Sequence, residues 1–327
     1  MLLLNKEDIK KVFTMRDAIE ADKEAFKIFT EGGSVVPLRT NIPATKYEGS
    51  MLFMPGYIED LDCAGIKIVS VFPKNLEKGK PVTPATVLLL DGTTGEVCSI
   101  LDGTYVTQLR TGAASGVAID VLARKDSKKG ALIGTGGQAS TQLEAMIEAR
   151  DLEEVYVFGR DENRTKAFVE EMQQELSKYN TKFKVAKTSN EAIEDADIII
   201  TVTTSKKPVF DGNKVKKGAT ISAVGSYLPV MQEVDPVALT RASKIFFEST
   251  DAVLSESGDI LKPLEEKIIS NEDFSGELGR VIKGEIPGRE NDYEIIVFKT
   301  VGIAVQDVVT AKRIYDKAVE KNIGTEW

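Results

Sequence analysis

Ala131-Leu132-Ile133-Gly134-Thr135-Gly136-Gly137-Gln138-Ala139 is an apolar strand end that runs into a G-x-G-x-x-A turn and then opens a helix. Gly134 permits the tight turn, Gly136 lets the backbone approach a pyrophosphate, and small Ala139 lets the helix pack close to the strand. The helix start at Gly137 and Gln138 offers free N–H groups and the positive end of the helix dipole to phosphates. A bare tight turn would also use glycines, but here the motif follows a strand and precedes a helix, which is the context dinucleotide binding demands.

Working outward, strand and helix signals alternate. Gly130–Ile133, Glu154–Phe158, Phe183–Val185, Asp197–Val202, Ala219–Val224 and Lys244–Phe247 read as short buried strands. Gln138–Ala149, Glu162–Tyr179 and a turn at Glu191–Ala196 read as helical. This alternation predicts a parallel, doubly wound sheet of the Rossmann type. The second strand ends Phe158-Gly159-Arg160-Asp161. Arg160, with Arg164 a helical turn further on, suits a 2′-phosphate and favours NADP, while Asp161 close by keeps NAD open.

The flanks differ. Residues 1 to about 118 contain one early amphipathic helix, Met15–Thr30, and strand-like runs at Gly49–Met54, Gly65–Val71, Pro84–Leu90 and Glu96–Leu101. Asp91-Gly92 and Thr94-Gly95 mark a hairpin between the last two. From Val301 to Lys321, Ala304, Val308, Ala311, Ile314 and Ala318 form one apolar helical stripe. The first part has too few helices to stand as its own doubly wound unit, so the final helix is expected to complete it. The predicted fold is therefore α/β: a Rossmann-type domain, 119–300, inserted in a discontinuous α+β domain, 1–118 plus 301–327.

Composition removes several function classes. The 327 residues carry a formal net charge of -9 with scattered basic residues, whereas nucleic-acid binders show a basic stripe. No apolar run approaches the roughly 20 residues of a membrane span. Cys63 and Cys98 have no metal-type spacing and read as small, largely buried side chains in a reduced, cytoplasmic protein. There is no histidine, so proton transfer must use Lys, Asp, Glu, Tyr, Cys or water, and no metal site is expected.

Several ordered segments together resemble the ornithine cyclodeaminase/mu-crystallin family: Val36-Pro37-Leu38-Arg39, Phe53-Met54-Pro55, Gly65-Ile66-Lys67-Ile68-Val69, Leu89-Leu90-Asp91, Leu109-Arg110-Thr111-Gly112-Ala113-Ala114-Ser115, Val224-Gly225-Ser226 and Val301-Gly302-Ile303-Ala304-Val305-Gln306-Asp307. The resemblance spans nearly the whole chain. It implies a homodimer, with the discontinuous domain supplying the dimer interface and the substrate pocket. It places Arg39, Lys67 and Arg110 on the substrate-binding positions, where arginines clamp a carboxylate bidentately. Lys67, embedded in an apolar strand beside two arginines, is the expected acid/base group. Thr86, Thr111, Thr203, Val224, Lys299 and Val301 fall on cofactor-pocket positions, the last two in the loop Phe298–Gly302.

Two departures narrow the implied chemistry. A cyclodeaminase places an Asp in the loop after the Val224 strand, where this chain has Tyr227, and a Glu ahead of the Met-Pro pair, where this chain has Leu52. Without those acids a second amine of the substrate would be buried unpaired, which is costly. The expectation is an NAD(P)-dependent oxidoreductase moving a hydride at Cα of a small amino or imino acid, foremost a cyclic imine reductase. An alanine-type dehydrogenase, an ornithine cyclodeaminase and an NADP-dependent ligand-binding protein without turnover are the competing readings. Tyr227 either donates a proton or lines the pocket.

Overall fold

Two helix starts near the beginning of the chain show local sequence fixing local structure. Strand β1 (Leu2–Leu4) leads to Asn5, whose side chain accepts from the Asp8 N–H while Asp8 answers to the Asn5 backbone, starting α1 (Lys6–Val12). Thr14 and Asp17 repeat this reciprocal box at α2 (Met15–Glu31). Each box satisfies two donors that a helix N-terminus otherwise leaves orphaned. Strands β2 (Ser34–Val35), β3 (Thr40–Ala44), β4 (Gly49–Ile58), β5 (Cys63–Val71), β6 (Ala85–Asp91) and β7 (Val97–Asp102) follow, and then α3 (Gly103–Leu122). The computed structural model describes residues 1–327, the side chain of Leu76 excepted.

The inserted region runs β8 (Lys129–Ile133), α4 (Ala139–Ala149), β9 (Glu154–Phe158), α5 (Glu162–Glu175), β10 (Lys182–Val185), α6 (Ser189–Ile193), β11 (Ile198–Thr201) and β12 (Thr220–Ala223). It continues through α7 (Pro236–Arg241), β13 (Lys244–Phe247), α8 (Thr250–Glu256), α9 (Gly258–Glu265), β14 (Phe274–Glu277), α10 (Leu278–Ile282) and β15 (Ile296–Lys299). Helix α11 (Ala304–Glu320) and β16 (Thr325–Glu326) end the chain.

The chain separates into two compact units, Met1–Arg110 with Gly302–Trp327, and Thr111–Val301. In the first, the strand order is β16-β1-β7-β6-β5-β4-β2, with β3 also on β4. All pairings are antiparallel except β1 with β7. Cys63, Gly65 and Lys67 of β5 are buried while Ala64, Ile66 and Ile68 between them are partly exposed, the period-2 signature of a sheet with one covered face. Helix α11 packs against α2, β4 and β5, and Ala304, Val308, Ala311 and Ile314 are fully or nearly buried.

In the second unit the order is β10-β9-β8-β11-β12-β15-β13-β14, all parallel. Ile198, Ile199 and Ile200 of β11 are all at 0% exposure, as expected for a parallel strand covered on both faces. The order reverses between β8 and β11, the place where doubly wound sheets bind ligands beyond the strands' carboxyl ends. The architecture is a doubly wound α/β unit inserted in a second, α+β unit.

Some elements depart from expectation. The final helix begins at Ala304, because Gly302 has a φ of 82° and breaks the helical path. Lys299 is the last residue of strand β15 rather than part of a loop. Helices α1 and α3 and strands β14 and β15 carry no signal picked up above. Among the described residues no helix is long and apolar enough to cross a membrane.

Candidate active site

In the first unit the structure gathers Arg39, Lys67 and Arg110 around a residue that sequence reasoning passed over, Asp307. Lys67 comes from the helix-facing side of β5, and Asp307 from the first turn of α11. The Lys67 Nζ donates to Asp307 Oδ1 at 2.8 Å and lies 2.7 Å from Oδ2. Arg110, at the boundary end of the unit, donates from Nε to Asp307 Oδ1 at 3.0 Å. Arg39 donates from Nη2 to the Gly302 carbonyl at 2.5 Å. A Cβ on Gly302 would sit 2.4 Å from Arg110 Nη1, so only glycine leaves room for the guanidinium at this left-handed corner. Gln306 holds the same corner, accepting from the Ile303 N–H at 3.0 Å and donating to buried Asp22 at 2.9 Å.

The charge balance of this cluster is lopsided. Lys67 is 1% exposed, Arg110 6% and Asp307 0%, so two buried cations share one buried carboxylate, with Arg39 near enough to act on Lys67. Burial would raise the Asp307 carboxyl, but Arg110 and Lys67 outweigh it and hold it below the usual range. Burial first, then Arg110 and Arg39, push Lys67 down from 10.5 to about 7, against the pull of Asp307. A lysine poised there exchanges protons readily near neutral pH. The surplus positive charge suits an incoming carboxylate, which arginine grips through two parallel hydrogen bonds.

Thr86 is not part of this group. In the β5–β6 register Lys67 pairs with Val87 and Ile68 with Thr86, so alternation puts Thr86 on the opposite face of the sheet. There it lines a cavity of about 600 Å³ with Ile68, Ser70 and Ile100.

In the second unit the glycine turn lies at the switch point. Gly134 has a φ of 116°, and a Cβ there would meet the Val202 carbonyl at 2.5 Å. At Gly136 and Gly137 a Cβ would meet nothing within 4 Å. Helix α4 lacks a side-chain cap at Gln138, and the Gln138 Oε1 is buried without a hydrogen-bond partner. Open space over two glycines at an uncapped helix start fits a dinucleotide pyrophosphate. Ala139 is fully buried. Thr111 lies beside α4, its carbonyl accepting from Gln142 Nε2 at 2.8 Å.

At the end of β9, Asp161 caps α5 by accepting from the Arg164 N–H at 3.0 Å. Its carboxylate is thereby engaged, while the side chains of Arg160 and Arg164 are exposed. Thr203, Val224 and Val301 follow the carboxyl ends of β11, β12 and β15, which are neighbours in the sheet. The methyl of Thr203 approaches the Gly134 Cβ position to 3.1 Å. Lys299 is fully buried, donates to the Ala223 carbonyl at 3.1 Å and lies 3.6 Å from Asp259, so its ammonium is engaged within the unit. Tyr227 is half-buried, and burial pushes its phenol up. Two acids also went unread in the sequence. Glu248 accepts from the Val301 N–H and the Thr300 hydroxyl, and Glu233 accepts from the Thr203 and Gly225 N–H groups. For Asp307 the available signal was its place in the segment Val301–Asp307; for the other two there was none.

The model of the ornithine cyclodeaminase/mu-crystallin family matches residues 1–322. The chain belongs to that family. Within the ornithine cyclodeaminase/mu-crystallin family it is similar to the Delta(1)-pyrroline-2-carboxylate reductase of Bacillus cereus (strain ATCC 10987), with 40% identity over 324 residues, 99% of this chain and 98% of the relative. The solved Thermococcus litoralis Delta(1)-pyrroline-2-carboxylate reductase in complex with NADH and L-proline superposes with a TM-score of 0.95 at 40% identity, covering 100% of both chains. An archaeal alanine dehydrogenase dimer with bound NAD superposes with a TM-score of 0.91 at 34% identity, covering 99% of this chain and 98% of that one.

Proposed function

We propose that this chain is an NAD(P)-dependent oxidoreductase that reduces a cyclic imino acid of the pyrroline-2-carboxylate type at Cα. The observation that carries this reading is the cation-rich cluster around Asp307 in a chain that also has the dinucleotide cradle at Gly134–Ala139. The likeness to the two pyrroline-2-carboxylate reductases supports the choice of substrate.

A nicotinamide cofactor, when bound, would supply the hydride. Arg39 and Arg110 grip the substrate carboxylate and fix the ring, which is the orientation part of catalysis. Lys67 hands a proton to the ring nitrogen as the C=N bond becomes C–N, and water restores it. Asp307 keeps Lys67 and Arg110 in place. The glycine turn with Thr111 would hold the pyrophosphate, and the segments ending in Thr203, Val224 and Val301 would flank the rest of the cofactor. Lys299 supports that edge from inside rather than by contact.

Exposed Arg160 and Arg164, beside an Asp161 engaged in capping, support NADP as the preferred cofactor with NAD accepted. Exposed Val35, Leu38, Ile42 and Tyr57 on β2 to β4 support a homodimer that covers them. The free thiols Cys63 and Cys98 accord with a reducing cytoplasm. A second reading, an alanine-type dehydrogenase, is favoured by the likeness to the archaeal enzyme.

The test is oxidation of NADPH and NADH with pyrroline-2-carboxylate and piperideine-2-carboxylate, set beside reduction of NAD(P) with alanine. Faster turnover of the cyclic imines is expected. Turnover of alanine alone would replace the substrate, and cofactor binding without any turnover would replace the enzyme by a binding protein.

A further inference from the structure

The second unit buries a charge cluster that the proposed reaction does not use. Glu233, Asp259 and Lys299 are all at 0% exposure. Glu233 stands in the segment between β12 and α7, and Asp259 on the first turn of α9. One Glu233 oxygen accepts from the Thr203 N–H. The other accepts from the Gly225 N–H at 2.6 Å and from the Thr201 hydroxyl at 3.1 Å. Asp259 in turn accepts from the Glu233 and Val234 N–H groups at 2.6 and 2.9 Å, and Lys299 lies 3.6 Å from its other oxygen. Thr203 and Gly225 open the two loops that leave β11 and β12 at the carboxyl edge of the sheet.

We infer that Glu233 is a positioning residue that staples the β11 and β12 loops together and thereby sets the affinity for the nicotinamide dinucleotide. The inference rests on the dinucleotide-binding reading given above. The physical argument is that two backbone donors and a hydroxyl from different loops converge on one carboxylate. A charged acceptor makes such bonds roughly twice as strong as a neutral one. Asp259 and Lys299 are the charged groups facing Glu233. Burial, and then Asp259, raise Glu233 to about 7 against the pull of Lys299. Protonation therefore weakens the staple at mildly acid pH, when Thr201 must turn from donor to acceptor.

The experiment is a fluorescence titration of the full chain with NADPH from about pH 6 to about pH 8.5, for the wild type, Glu233→Gln and Thr201→Val. The wild type is expected to bind more weakly as pH falls through that range. E233Q is expected to bind about tenfold more weakly at the alkaline end and to lose the pH dependence. T201V, which removes one donor and keeps the side-chain shape, is expected to shift the pH midpoint with a smaller loss of affinity. A purely structural role would lower thermal stability and leave the pH profile of binding unmoved. Wild-type affinity and an unchanged pH profile in E233Q overturn the inference. If E233Q does not fold, an unchanged profile in T201V does the same. A wild type that binds no dinucleotide at any pH overturns the functional reading itself, and the staple with it.

Discussion

Each unit buries a cluster of charge, and the two are opposite in character. Around Asp307, two buried cations share one carboxylate. Around Lys299, two carboxylates share one ammonium. The second cluster is met mostly by backbone: Glu233 and one oxygen of Asp259 accept from backbone N–H groups, and Lys299 lies 3.6 Å from the other Asp259 oxygen. The first has more buried cation than carboxylate: Lys67 and Arg110 both bind Asp307. An acid-rich cluster bound to backbone N–H groups organises backbone, and a cation-rich one is suited to an anion.

The most direct way to break this comparison is Lys67→Met, which keeps the bulk and deletes the central cation. Turnover is expected to fall about 10²–10⁴-fold, the usual worth of a positioned proton donor, while NADPH titration is unchanged. Turnover within a factor of a few of wild type would refute the acid/base role. Asp307→Asn removes the carboxylate that Lys67 and Arg110 share. Chemical denaturation should report a loss of about 3–5 kcal/mol, as when a buried pair is broken from one side. The alkaline limb of kcat/KM assigned to Lys67, the proton donor, should move to lower pH, because Asp307 is the group that raises it; a limb that stays put would mean Lys67 is not the titrating group.

The two clusters should also pull the pH dependence of stability in opposite directions. Glu233 is raised from 4.5 to about 7, so between those values the folded chain binds the extra proton and stability falls as pH rises. Lys67 is lowered from 10.5 to about 7, so above that point the unfolded chain binds the extra proton and stability rises with pH. Each slope is at most about 1.4 kcal/mol per pH unit. Unfolding curves across pH should lose the acid branch in Glu233→Gln and the alkaline branch in Lys67→Met. Loss of the wrong branch would reverse the assignment. Next in size, Arg39→Ala should raise KM for the imino acid by an amount worth about 1.5–3 kcal/mol, one charge-assisted contact, with kcat less affected. The smallest effect is expected from Arg160→Ala: a drop of about tenfold in the preference for NADPH over NADH, and an unaltered ratio would remove Arg160 from cofactor choice.

What could be read in the sequence followed from periodicity and from motifs with their own context. The turn at Gly134–Ala139 and the strand Glu154–Phe158 were legible because each is local. Helix α3 was not: from Thr111 to Ile119 every residue is buried, so no polar face marks a helical period. Strand β15 was missed because Ile296–Lys299 is four residues long and buried on both faces, a pattern shared with any short apolar run. Asp307 reads as an ordinary first-turn acid, which helix dipoles favour anyway. Only the packing of α11 against β5 shows it meeting Lys67, 240 residues away in the chain. The face Thr86 occupies likewise depends on a register no single strand reveals.

That long separation has a consequence for the order in which the molecule can be made. The ribosome releases Lys67 and Arg110 long before Asp307, so the first unit waits with its cations uncompensated until α11 emerges. The inserted unit, continuous from Thr111 to Val301, has no such debt and can consolidate earlier. Arrested nascent chains ending shortly after Val301 should therefore show protease protection in the inserted unit before any in the first, and protection appearing in the reverse order would contradict this sequence of events.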